Sequence, residues 1–566
     1  MTSLRNAIWL LLLAPCTLQA QTSPGNSTSL PNNSDIAAEV KVLREALLET
    51  QKQLASQQRE IDALKALSAR QDSTDSNAEN VAHVLDAAIH STVSTRPRSE
   101  IYRADGKMAE LPKSQAEGEH KESPLSFKIG GAELTPGGFV DIENIYRTTN
   151  TQNNIATNFA AIPFSNTAQG HVTEDRTTAQ YSRLSLKVTD KFGPYHVLGY
   201  FEADFSGNAA PNVYQTVNGQ TNRLRLYFAD VTRGRWEVLG GQTWSWLTPN
   251  RNGVSPMPAD LALTYNEDQN LGVGIPYSRA AEFRVAFHPN EHWSMGVGIE
   301  DPNQFIGGFV ALPTAFSATL SPQFDNGSQA GAPNLFPDIL SKIAYDTKIS
   351  DRHFHVEMGG LLTGARASVV PIGATSFSSH SAIGGGGEIA ANYALMKNLV
   401  LLGNAYWTDG GARYLVATGP QLVVRPNAAG TDVSPSMVHA SAGSAGLEWK
   451  ATPKTVLAAY YGADYFGRNF FRDTTNLLHP NTIIGYGGPG SANTNNRTIQ
   501  QPTFDLTQDI WRGQYHGALQ FYTQYSYLTR APWFVAPGAP KNAHLNMVYM
   551  GLRLVLSSGV ILPVEK

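Results

Sequence analysis

Residues 181–188 read Tyr-Ser-Arg-Leu-Ser-Leu-Lys-Val, and after a polar turn at 190–194, residues 195–205 read Tyr-His-Val-Leu-Gly-Tyr-Phe-Glu-Ala-Asp-Phe. In the first run Leu184, Leu186 and Val188 alternate with Arg183, Ser185 and Lys187. In the second, Val197, Gly199, Phe201, Ala203 and Phe205 alternate with a set that includes Glu202 and Asp204. Successive side chains of a strand point to opposite faces, so the stretch reads as a β-hairpin with one apolar and one charged face. A soluble sandwich alternates too. Recurrence and spacing decide between the two.

The unit recurs to the end of the chain. Strand candidates begin near Gly138, Tyr181, Tyr195, Arg223, Trp236, Arg279, His292, Pro337, His353, Ala382, Leu399, Ser436, Thr455, Thr503, Gly517 and Leu545, about sixteen in all, an even number as in bacterial outer-membrane barrels. Short links (191–194, 233–235, 289–291, 346–352, 396–398, 451–454, 512–516) take turns with long ones (149–180, 206–222, 248–278, 301–336, 366–381, 410–435, 468–502, 530–544). One end of the strands then carries tight turns and the other long loops. This is the pattern of an up-and-down transmembrane barrel with periplasmic turns and extracellular loops. The expected fold is all-β: a sixteen-strand antiparallel barrel over 127–556, with a tail at 557–566.

Composition agrees. The 566 residues include 50 glycines, 22 tyrosines and 23 phenylalanines, and only 16% are charged. Beyond the N-terminus no apolar run reaches the roughly 18 residues of a spanning helix. A formal charge of −4 at this length argues against nucleic acid as a partner.

Residues 1–20 read as a secretory signal: Arg5 is the basic start, 7–13 the apolar core, and Leu18-Gln19-Ala20 the exit. The only cysteine, Cys16, lies in this segment, and Pro15 before it does not suit lipoprotein processing. A mature chain without cysteine has no disulfide or thiolate metal site. Residues 21–35 are rich in Ser, Asn, Pro and Thr and read as flexible. In 36–67, Ile36, Val40, Leu43, Leu47, Leu54, Ile61 and Leu64 fall at alternating spacings of four and three, interrupted by Thr50 and Gln57. That is a coiled-coil pattern, with an amphipathic helix packed on its own protein as the alternative. Residues 68–126 read as a polar linker with a possible short helix.

Export signal, short coiled coil, linker and sixteen-strand barrel together resemble the DcaP-type trimeric porins of Gram-negative bacteria. Gly138-Phe-Val-Asp-Ile-Glu-Asn-Ile-Tyr146 is similar to that family's opening strand, and Leu239-Gly-Gly-Gln-Thr-Trp-Ser245 resembles the strand that enters its constriction loop. The resemblance implies a homotrimer of separately conducting barrels in the outer membrane, a periplasmic coiled coil, and passive uptake of small anions such as dicarboxylates. One departure is the C-terminus: the last strand runs on into 557–566 instead of ending on an aromatic residue.

If the apolar faces touch lipid, the other faces line the lumen. Arg183, Lys187, Arg223, Arg225, Arg284 and Arg553 then point inward, as do Asp141, Glu143, Glu202, Asp204 and Glu282. A barrel of this size encloses an aqueous channel, and rings of Arg and Lys favour anions. The bland alternative is that these charges pair across neighbouring strands and only stiffen the wall. The third long connection, 248–278, contains four prolines and several glycines, suiting a compact loop folded into the pore. By resemblance to sixteen-strand porins it is the constriction loop, in which Arg251, Asp260, Glu267 and Asp268 shape the narrowest section. From the residues alone it could equally stand outside.

Tyr195, Trp236, Trp293, Trp407, Trp449, Tyr460, Tyr461, Trp511, Tyr525 and Trp533 cluster at strand ends, where amphipathic rings form interfacial girdles. His353 and His355 share a strand face, but no third metal ligand is evident, so they read as surface histidines. No nucleophile elbow occurs, and Gly384–Gly387 lies within a strand, so it is no phosphate loop. The chain therefore reads as a channel and not an enzyme, with no cofactor and with outer-membrane lipids, its own copies and small anionic solutes as partners. Three rivals stand beside it: a general or cation-preferring porin, a structural tether acting through the coiled coil, and a membrane-embedded hydrolase, which the absent nucleophile constellation disfavours.

Overall fold

The computed structural model describes residues 126–151, 155–207, 221–257, 262, 272–327, 334–416, 418–479, 481–513 and 517–556. The signal, the coiled-coil positions Ile36–Leu64, the linker up to residue 125 and the tail from residue 557 lie outside them.

Alternation of apolar and polar residues produces long strands, and these close on themselves. In chain order they are β1 (Ala132–Arg147), β2 (Arg183–Phe192), β3 (Tyr195–Gly207), β4 (Thr221–Arg233), β5 (Trp236–Trp244), β6 (Arg279–Phe287), β7 (Trp293–Glu300) and β8 (Asp338–Ile349). There follow β9 (Arg352–Val369), β10 (Ser378–Met396), β11 (Leu399–Asp409), β12 (His439–Thr452), β13 (Thr455–Phe466), β14 (Asn496–Gly513), β15 (Gly517–Pro532) and β16 (Ala543–Val555). Each pairs antiparallel with the next, and β1 pairs with β16 from Phe139–Val555 to Arg147–Met547, closing the ring. Two short strands, Phe127–Ile129 and Glu174–Thr178, add only to β1. The barrel therefore has sixteen staves and no open edge.

The turn chemistry explains the short end. Gly193 and Gly234 take left-handed φ values of 56° and 60° in the β2–β3 and β4–β5 turns. Ser350 and Asp351 do the same between β8 and β9, at 51° and 64°, the geometry of a two-residue hairpin turn. At Gly138, φ is +126° and an added Cβ would lie 2.1 Å from the Arg183 carbonyl oxygen, so only glycine lets β1 pass this close to β2.

Two strands begin earlier than their residues suggest. β1 starts at Ala132 rather than near Gly138, and β14 at Asn496 rather than near Thr503. In both, a proline reads as a boundary: Pro136 pairs opposite Leu186, and Pro502 opposite Tyr461. Proline removes a single ladder donor, and the strand continues past it.

The outer surface is a continuous apolar band. Val140, Ile142, Leu184, Phe283, Val297 and Met358 are all at least half exposed, and all but Val297, which lies between glycines, have a buried charged neighbour in the strand. A water-soluble monomer does not carry such a belt, so this face meets lipid. Near the tight-turn end, rings stack across neighbouring strands: Trp236–Phe287 and Trp293–Tyr345, both with centroids 4.7 Å apart. Two aromatic expectations are corrected. Tyr460 points into the barrel, its hydroxyl donating to Glu448 Oε1 at 2.7 Å. Trp533 is half-buried, its indole donating to the Phe466 carbonyl at 2.9 Å.

The largest apolar core lies inside the ring. Ile155, Phe159, Ile162, Trp246, Leu247, Val273, Tyr414, Leu415 and Val423 join inward residues such as Ile145, Tyr522 and Tyr549 in one buried cluster. These loop residues come from the first, third and sixth long connections. The chain thus fills much of its own lumen.

Candidate functional site

The site follows from two walls of the lumen. The first is β2–β4. Arg183 faces Asp204 across the hairpin, and its Nη1 lies 3.4 Å from Glu202 Oε1. Arg225 donates from Nε to Glu202 Oε1 at 2.7 Å and from Nη1 to Asp204 Oδ2 at 3.0 Å. Arg223 forms a fork to Asp204 with bonds of 2.9 and 2.5 Å. Planar guanidinium matches carboxylate bidentately, so the three arginines and two carboxylates form one ladder. Arg223 is its accessible rung, with 30% of its side chain exposed, whereas that of Arg225 is sealed. Lys187 lies opposite Tyr200 on β3 and is half-buried.

The ladder continues sideways. Phe139 has Arg183 over its ring at 5.2 Å and Arg553 at 4.4 Å. Arg553 bonds Asp141 Oδ2 at 2.7 Å, and the Tyr522 hydroxyl lies 2.8 Å from both Asp141 Oδ1 and Glu143 Oε2. On β6, Arg284 Nη1 is 3.6 Å from Glu282 Oε1, and its guanidinium lies 5.2 Å over the Trp246 ring.

The second wall, β7–β14, carries the third long loop. From the end of β5 the chain turns inward: Trp246 N donates to Glu300 Oε1 on β7 at 3.2 Å. Lys342 of β8 donates to the Thr248 carbonyl at 3.0 Å and to Glu357 Oε1 of β9 at 2.8 Å. Asn250 N donates to that same oxygen at 2.9 Å, and Gly253 N to Asp346 Oδ2 at 3.0 Å. Arg251 forks onto Glu448 of β12, with Nη1 2.7 Å from Oε2 and Nη2 on Oε1. The returning half touches β14, β13 and β11: Val273 N to Gln501 Oε1 at 3.1 Å, Gly274 N to Asp464 Oδ1 at 3.0 Å, and the Gly274 carbonyl from Asn404 at 2.8 Å. Gly274 has φ +92°, and a Cβ there would meet the Gly443 carbonyl oxygen at 2.1 Å. Glu300 lies opposite Asp338 on β8, and Asp346 is eight residues further along that strand, so the loop's contacts run from the long-loop end of the wall toward the tight-turn end. Asp260, Glu267 and Asp268 lie outside the described residues.

His355 corrects the expectation of a surface histidine. It is fully buried, with Nδ1 2.8 Å from Asp346 Oδ1 and Nε2 3.1 Å from Glu357 Oε2. It therefore ties together two carboxylates that hold the third loop. The available signal was Asp346 and Glu357, one across the short turn and one two residues along. Among the described residues, no group of three or more His, Cys, Asp or Glu side chains is arranged to hold a metal.

No family model matches the chain, and no curated protein matches it in sequence. Solved structures do match in fold. The outer-membrane channel DcaP of Acinetobacter baumannii superposes with a TM-score of 0.52 at 16% identity, covering 76% of this chain and 100% of that one. OmpF of Salmonella typhi gives 0.42 at 11% identity over 76% and 100%, and OmpT of Vibrio cholerae 0.40 at 11% over 76% and 99%. The last two are too distant to carry an argument. At such identities the likeness concerns architecture alone: this chain has the closed sixteen-strand barrel fold seen in the DcaP channel.

Proposed function

We propose that the protein is an outer-membrane channel that passes small hydrophilic solutes by passive diffusion, with a preference for anions of dicarboxylate type. The observation that carries this is the third loop, pinned along β7–β14 inside a ring whose outer face is apolar. A lipid-facing wall around a polar lumen with a narrowed waist is a pore, and such a device needs no catalytic residue. On the β2–β4 wall Arg183, Arg223, Arg225 and Lys187 outnumber the carboxylates Glu202, Asp204 and Asp230 by one, which favours an anionic solute. Arg251, Asp260, Glu267 and Asp268 shape the waist, and residues 36–67 form the periplasmic coiled coil of a homotrimer. The loops that fill the lumen favour a narrow, selective passage over a wide general pore.

One observation favours the opposite selectivity. The β12–β14 wall presents Glu448, Asp464, Asp505 and Asp509 inward, and both carboxylate oxygens of Asp505 lack a hydrogen-bond partner among the described residues. Planar-bilayer recording of the mature protein under a salt gradient separates the readings. Conductance steps in groups of three with an anion-selective reversal potential are expected. A cation-selective potential would move the dominant field to the β12–β14 wall. Stable insertion without conductance would sink the channel reading.

A further inference from the structure

The two roots of the third loop converge on one short segment of the sixth. Ser245 N bonds the Ser278 carbonyl at 3.0 Å, joining the roots to each other. The incoming root is held by Trp246 N on Glu300 Oε1. The outgoing root is held by Tyr277 N on the Tyr414 carbonyl at 2.6 Å, beside a parallel bridge between Tyr277 and Leu415. Tyr414 also reaches the incoming root, since its hydroxyl lies 3.2 Å from Glu300 Oε2 and 3.0 Å from Asp338 Oδ2. Arg413 fixes that hydroxyl, donating to it at 2.8 Å and to Asp338 Oδ2 at 2.6 Å. Ala412, Tyr414 and Leu415 are almost wholly excluded from solvent.

One residue thus holds the outgoing root by its backbone and, by its side chain, the carboxylate that holds the incoming root. The rest of the sixth loop stays packed on the inner face of the wall, with Val423 in the same buried cluster as Tyr414. It forms a hairpin, Leu422–Pro426 with Val433–Met437, and Leu422, Val424 and Val433 pack on Ala365, Ala367 and Val369 of the tall strand β9. A displacement of that hairpin is connected through 412–421 to both roots. Packed elements held by a few discrete bonds shift between arrangements and do not bend continuously, so a small change at the roots moves the pinned residues beside them, 246–253 and 273–274.

We propose that Arg413 and Tyr414 are positioning residues: the 412–415 segment clamps the third loop and places the sixth loop in control of passage through the lumen. This rests on the channel reading above. The hydroxyl contact is the separable part, because Tyr414→Phe keeps the ring and the backbone bond to Tyr277.

The test pairs two measurements on the full-length protein in bilayer nanodiscs. Hydrogen exchange is followed at Asn250 and Gly253, whose amides bond Glu357 and Asp346 and touch neither Arg413 nor Tyr414. Tyr414→Phe should speed exchange there by about three- to tenfold, the size one hydrogen bond carries, with strand amides unchanged. A merely structural tyrosine would alter exchange only within the sixth loop, and that result overturns the clamp. Arg413→Lys, which keeps the charge but loses the Nη2 group shared between Asp338 and the Tyr414 hydroxyl, should act in the same direction and serves if Tyr414→Phe fails to fold. Single-channel recording supplies the second readout: the variant should show several-fold more closures than the wild type. A wild type that does not conduct removes the channel reading, while the exchange result still decides the clamp.

Discussion

The β2–β4 wall and the β7–β14 wall are built from the same side chains and use them differently. On β2–β4 each guanidinium is answered by a carboxylate of the strand next to it, Arg225 by Glu202 and Asp204, Arg223 by Asp204. Among the described residues, these pairs run from strand to strand within the wall. On β7–β14 the acidic groups turn to the third loop: Glu300 accepts from Trp246, Glu357 from Asn250, Asp346 from Gly253 and Asp464 from Gly274. A loop segment leaving β5 has unsatisfied amides, and a wall of carboxylates supplies their acceptors. The first wall sets a field and the second sets a shape.

The comparison breaks most visibly at Glu357. Its carboxylate serves Lys342, His355 and the Asn250 amide, and it and Lys342 are both sealed from solvent. Glu357→Ala leaves the buried Lys342 ammonium without its carboxylate and His355 with Asp346 alone, a loss of about 3–5 kcal/mol. The folded form should convert to the unfolded at a lower temperature on electrophoresis, and channels that do form should be larger and noisier. Glu202→Ala should cost less, because Arg225 keeps Asp204 as a partner. If the two variants lose equal stability, the division of labour between the walls is wrong.

A second prediction sharpens it. Replacing Arg183, Arg223 and Arg225 together by glutamine removes the positive charge of the ladder and leaves in place the contacts that Glu300, Glu357, Asp346 and Asp464 make to the third loop. The reversal potential should move toward cations, and unitary conductance should change by less than about twofold, since the waist keeps its shape. Lys342→Gln should do the reverse, altering conductance and leaving selectivity nearly unchanged. An unchanged reversal potential in the triple variant would make the ladder a stiffener only.

The two walls were unequally legible in the residues. Strand number, the apolar belt and the alternation of short and long links follow from period-two patterning, which is local. The ladder was nearly legible as well: counting back from the turn at Gly193 sets Arg183 opposite Asp204, so the pairing is a matter of register. The β7–β14 wall was not. Asn250 meets Glu357 across 107 positions and Arg251 meets Glu448 across 197, and no spacing rule links residues that far apart. Tyr460 and Tyr461 show the smaller error. Neighbours in a strand cannot share a face, so one of the two had to leave the girdle, and Glu448 draws Tyr460 inward.

The pinned side is also held from above, and there the contrast yields a pH dependence. The fourth and seventh long loops meet in paired backbone bonds between Ala311 and Gly485, and again at Asp473, which is fully buried. Burial alone would raise the Asp473 carboxyl, but the Thr314 and Thr475 hydroxyls and both of their amides donate to it and hold it below its ordinary value of 3.8. A depressed acid stabilises the fold fully above its unfolded pKa and loses that contribution as pH falls through the folded one. Protection of the Thr314 and Thr475 amides should therefore hold at neutral pH and fade only below roughly pH 4. Asp473→Asn should reproduce the loosened state at neutral pH, weakening the local structure by about 1–2 kcal/mol, with conductance unchanged. Protection that fades already near neutral pH would mean that another group joins the two loops.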